Sequence, residues 1–156
     1  MSSLDAMIGL TGMVFLLLFS MAAFSFLFGK VSSSMDYKDM EARSHYAMGQ
    51  LLSRGDPQGW NALNLSQVNN FGISSEDGIL SRDKILSLNS TIASNYSFVA
   101  ARLGISKYNY SIQISNFYSG VALYYMGNAN TSRVISQSQM STLDGSLVLV
   151  QLRVAQ

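Results

Sequence analysis

The sequence predicts an α+β protein: a long N-terminal apolar α-helix, acting as a spine, packed against a C-terminal head built on an antiparallel β-sheet of about four strands with short helices. Three observations carry this reading. No charged residue occurs between Ala6 and Gly29. Residues 30–48 continue a helical pattern with no proline or glycine. From Tyr108 onward the apolar period changes to two, the signature of half-buried strands.

The uncharged run exceeds the about 20 apolar residues that cross about 30 Å of hydrocarbon as a helix. A helix satisfies its own backbone hydrogen bonds, so it suits a lone spanning segment. Asp5 and Lys30 bracket the run. Gly9, Gly12, Ser20, Ala22, Ala23 and Ser25 are small and let neighbouring helices approach closely. Asp5, Met7, Leu10, Val14, Leu17, Leu18, Phe24 and Phe28 are the candidate packing residues of such a helix.

Three readings of the run compete. A removed secretory signal has an apolar region of about 7–15 residues after a basic start. This run is longer and follows the uncharged-to-acidic stretch Met1-Ser2-Ser3-Leu4-Asp5. A permanent membrane anchor and a filament-core helix are the other two. Lys30, Lys38 and Arg43 lie on the C-terminal flank, which by the positive-inside rule would place the head in the cytoplasm. A basic leader cut off before Met1 would reconcile this with an exported head.

Beyond Lys30, Val31, Met35, Ala42, Tyr46 and Leu51 recur at helical intervals, with Met40, Ala47 and Met48 nearby. This predicts an amphipathic second half of the helix. Gly55-Asp56-Pro57 ends it. One helix over residues 3–53 would be about 75 Å long at about 1.5 Å per residue. The domain division expected is residues 1–53 for the helix and 54–156 for the head.

In the head, Trp60, Leu63 and Leu65 are expected core anchors. Ser81–Leu88 and Ser94–Leu103 read as two short helices, the first opened by a serine cap. Tyr108–Ser115, Val121–Met126, Ser132–Met140 and Ser146–Val154 read as strands. Asp144-Gly145 marks the last hairpin. Alternation places Tyr108 and Tyr110 in the core.

Composition narrows the function classes. Charged residues make up 12% of 156 residues and the net charge is +1, which gives no footing for nucleic acid. The absence of cysteine excludes disulfides, a thiol nucleophile and cysteine-ligated metal. His45 is the single histidine, and no cluster around it in sequence proposes a metal site. Gly-x-Ser-x-Gly and phosphate-loop motifs are absent. No catalytic residue, metal or cofactor is expected. Five Asn-x-Ser/Thr sequons, at Asn64, Asn89, Asn95, Asn109 and Asn130, favour an exported, glycosylated head.

Taken in order, these segments resemble archaeal type IV pilin-like proteins. The mature start of that family is often Gln-x-Ser-x-Glu before an apolar helix. Met1-Ser2-Ser3-Leu4-Asp5 keeps the serine and an acid, with Met for Gln and Asp for Glu. The head carries a similar series: Gly55-Asp56-Pro57-Gln58-Gly59-Trp60, Phe71-Gly72-Ile73, Gly78-Ile79-Leu80-Ser81, Lys84-Ile85, Tyr96, Leu103-Gly104-Ile105 and Tyr108–Ile114. The resemblance implies cleavage by a prepilin peptidase before Met1 and residence in the cytoplasmic membrane. It further implies handling by pilus assembly machinery and polymerisation into a helical homo-oligomer for adhesion to a surface or cell receptor. Asp5 would then neutralise a neighbouring subunit's N-terminal amine. The alternative is a permanently anchored surface protein, or a stator-type binding module with a β-rich head.

Overall fold

The computed structural model describes the backbone of residues 3–130 and 133–156, and their side chains except those of residues 3–6 and 32–33. The fold is α+β, as the sequence predicts. Helix α1 runs Ser3–Leu51, and helix α2 runs Arg82–Arg102. The strands are β1 (Ser74–Glu76), β2 (Ile79–Leu80), β3 (Asn109–Asn116), β4 (Ala122–Asn128), β5 (Val134–Leu143) and β6 (Ser146–Ala155). Two 3-10 turns, Trp60–Ala62 and Leu65–Gln67, bridge the segment after α1. The chain divides into two compact units, Met1–Asp39 and Met40–Gln156.

The second unit holds one sheet of six strands in the order β1-β2-β5-β6-β3-β4. All its pairings are antiparallel except β2 with β5. The four expected strands are therefore joined by two short ones, Ser74–Glu76 and Ile79–Leu80, hinged at Gly78 with φ +77°. Strands this short carry too little alternation to stand out in the sequence.

One face of the sheet is apolar. Tyr110, Ile112 and Ile114 of β3 pair with Val154, Leu152 and Val150 of β6, and all six are buried. Ile135 and Leu143 of β5 and Met126 of β4 extend this face. Against it lie the last turns of α1, from Met40, and the buried face of α2 (Ile85, Leu88, Ile92, Val99). Burying each such aliphatic side chain is worth about 1.5–3 kcal/mol.

The buried stripe of α1 is Met40, Ser44, Ala47, Met48 and Leu51. Of the residues expected to form it, Met40, Ala47, Met48 and Leu51 are buried, while Val31, Met35, Ala42 and Tyr46 are exposed. The stripe also takes in Ser44, whose hydroxyl is satisfied by donating to Glu41 O at 2.8 Å. Trp60 is buried edge-on to Phe71, but Leu63 is 42% exposed and Leu65 is half-buried. Leu65 still packs against the edge of the core, whereas Leu63, the residue that closes the first 3-10 turn, faces solvent.

The two expected short helices form one element, α2, kinked at Asn95 (φ −143°, ψ 55°). The kink has a local cause. The Oγ groups of Ser90, Thr91 and Ser94 all bond back to carbonyls one turn earlier. Such back-bonding competes with the helix ladder and bends it.

Candidate functional site on the apolar helix

The surface that sets this chain apart is the N-terminal part of α1. Every side chain described from Met7 to Val31 is exposed. Phe15 is 73% and Leu17 55% exposed. The predicted packing residues Met7, Leu10, Val14, Leu17, Leu18, Phe24 and Phe28 all present their apolar atoms outward. Asp5 falls within the helix, but its side chain lies outside those described.

The segment is long and apolar enough to cross a membrane. Its polar groups are adapted to that character. Thr11 Oγ1 donates to Met7 O at 2.8 Å, and Ser20 Oγ donates to Leu17 O at 2.9 Å. These hydroxyls therefore expose no unpaired donor. At the end of the run, the Lys30 ammonium lies 5.3 Å from the centre of the Phe26 ring, a cation–π contact.

Two shallow notches interrupt the apolar surface. One is lined by Met7, Ile8, Thr11, Gly12 and Phe15, the other by Ser20, Met21, Phe24 and Ser25. A β-carbon added at Gly9, Gly12 or Gly29 would meet nothing within 4 Å. These small residues leave room for the ridges of another helix.

At its other end α1 is fastened into the head by a set of bonds that the sequence does not announce. The carbonyls after the last turn have no helical partner. Ile73 N donates to Leu51 O at 2.8 Å, Ser74 Oγ to Leu52 O at 2.6 Å, and Ser74 N to Ser53 O at 3.0 Å. Lys84 Nζ, buried, donates to Arg54 O and to Ser74 O. Burial, and then the Arg54 guanidinium, lower the pKa of this ammonium. Trp60 Nε1 closes the same joint on Gly72 O at 2.7 Å. A β-carbon at Gly72 would overlap Gly55 N and the Ser53 carbonyl, so the two chain segments touch backbone to backbone.

His45 is exposed on α1, with Nε2 3.2 Å from Gln137 Nε2. That contact holds for the tautomer that leaves Nε2 unprotonated. Among the described residues, no three His, Cys, Asp or Glu side chains gather in a metal-binding group. Tyr96 stacks on Tyr110 with ring centres 4.4 Å apart. Its hydroxyl accepts from Tyr110 N at 2.6 Å and donates to Tyr110 O. Burial raises the pKa of both phenols.

The sequon asparagines Asn64, Asn89, Asn95, Asn109 and Asn130 are all exposed. They lie on different backbones: a turn, a helix, the α2 kink, a strand and the segment after β4. Comparison of the chain with protein families, with curated proteins and with solved structures returns no match.

Proposed function

We propose that this chain is the structural subunit of an extracellular filament, of the archaeal type IV pilin-like kind, that polymerises through its N-terminal helix. The observation that supports this is the continuous exposed apolar surface from Met7 to Phe28. Soluble monomers rarely expose contiguous apolar patches beyond a few hundred Å². This one demands a cover of lipid or of other helices. The notches at Gly12 and at Ser20–Ser25 favour helices, since a lipid tail needs no fitted recess.

In this reading the subunit waits in the cytoplasmic membrane and is drawn into a helical homo-oligomer. The apolar helices form the fibre's interior, and the head faces the medium for attachment to a surface.

The test is Leu17→Arg, imaged by negative stain on sheared cell-surface material. A charge at this depth costs about 2.5–3.5 kcal/mol per subunit, and fibres should disappear. Normal fibres would refute the proposal. Parent protein found only in membrane fractions, with no polymer in the sheared supernatant, would instead make the helix a permanent anchor.

A further inference from the structure

The five sequons are equivalent in sequence but not in the structure. Transfer of a glycan to asparagine needs two things of the folded acceptor. The backbone must be free of a regular ladder so the asparagine can enter the transferase, and the hydroxyl two residues on must be reachable. Asn89 fails both. It lies inside α2, and its partner Thr91 is buried with Oγ1 donating to Ser87 O at 2.8 Å. Asn109 also fails both. It pairs with Ala155 in the sheet, and Ser111 is 1% exposed with its Oγ buried and unpartnered.

Asn95 meets both conditions. It is exposed at the kink, its backbone has left the helix (φ −143°, ψ 55°), and Ser97 is exposed. Its Nδ2 makes a solvent-facing contact with Ser94 Oγ at 3.2 Å. Asn64 has an extended backbone (φ −65°, ψ 139°) and an exposed Ser66. Asn130 belongs to a sequon that runs into residues outside the described ones and plays no part here.

We propose that, of Asn64, Asn89, Asn95 and Asn109, the N-glycan acceptors of the folded head are Asn95 and Asn64, and that Asn89 and Asn109 stay bare. The transfer joins Asn95 Nδ2 to the anomeric carbon of a lipid-phosphate-linked oligosaccharide. The carbon–oxygen bond to phosphate breaks, the lipid phosphate leaves, and the amide loses one proton. The α2 kink thus presents a modification site that a straight helix would hide.

The inference rests on the exported head of the reading above. Its test is glycopeptide mass spectrometry of the full chain from its own cells. Asn95 and Asn64 should both carry sugar, and Asn89 and Asn109 none. Ser97→Ala should abolish sugar at residue 95 and leave residue 64 unchanged. A bare Asn95, or Asn89 or Asn109 occupied at or above its level, overturns the proposal. Imaging separates the two readings. A bare Asn95 in an intact fibre refutes this inference alone, whereas a glycosylated Asn95 in a chain that never leaves the membrane refutes the filament alone.

Discussion

The Nζ of Lys84 lies 2.6 Å from the carbonyl oxygen of Arg54, just past the end of α1. One buried cation on the first turn of α2 thereby holds the chain where the spine helix hands over to the head. A positive charge at this end also complements the helix dipole.

Removing that cation while keeping its bulk should loosen the joint. Lys84→Met leaves the Arg54 and Ser74 carbonyls without their donor, and a buried group left unpaired costs about 1–3 kcal/mol. Relief of the lysine's own desolvation offsets part of this, so a net loss of about 2 kcal/mol is expected. Trp60 is the single tryptophan and is buried beside the joint. Its fluorescence in urea titrations of the detergent-solubilised chain gives the midpoint, and an unshifted midpoint would show that the bonds contribute nothing.

Gly72→Ala should be far more damaging than Gly59→Ala. A β-carbon at residue 72 collides with backbone on the facing segment, whereas one at residue 59 meets nothing within 4 Å. Strain of this kind belongs to the tail of mutational effects above about 4 kcal/mol, and the control to the range within about 0.5 kcal/mol. Expression level and Trp60 emission of the two variants, side by side, make the comparison.

Alkaline pH should unfold the head through Tyr96 and Tyr110. Burial raises both pKa values in the folded state above their ordinary value of about 10. Below pH 10 both phenols are protonated, folded or unfolded, and their contribution is complete. Above it the unfolded chain releases protons that the folded head retains. Stability then falls with pH by up to about 1.4 kcal/mol per unit for each tyrosine. Lys84 acts in the opposite sense, because its lowered pKa makes the folded head release that proton first. Tyr110→Phe should therefore flatten the fall relative to the parent chain in the same buffers. An identical slope would remove Tyr110 from the account.

Trp60→Ala and Leu63→Ala separate what the sequence disclosed from what it did not. The first should cost about 3–5 kcal/mol, the second less than about 1 kcal/mol. Both residues read alike as apolar anchors, yet a 3-10 turn buries one and exposes the other. Thermal melts of the two variants would expose an error in that assignment.

The difference has a general cause. The apolar run, the four longer strands and the buried Tyr108 and Tyr110 were legible because each rests on a period repeated over many residues. On α1 the apolar period finds Met40, Ala47, Met48 and Leu51 but not Ser44, a polar residue that is buried, and it includes Tyr46, which is exposed. The strands Ser74–Glu76 and Ile79–Leu80 exist only through pairing with distant Thr142 and with each other. The sequon triplets were visible, but the burial of Thr91 and Ser111 that distinguishes them is a tertiary property. Lys84 stands in the series of head motifs, but its burial and its two carbonyl partners were not legible, since a lone lysine in a helix ordinarily faces water.

The crossing of Gly72 over Gly55 constrains ancestry as well as packing. An apolar helix can be rebuilt from almost any mixture of Leu, Phe, Met and Ala, so the spine's wording is free to drift. A place where two main chains touch has no such freedom, because every other amino acid brings an atom with nowhere to go. Kin of this protein that have lost all other likeness should still carry a glycine at the crossing and a long basic side chain on the following helix. That pair is the signature by which they can be recognised.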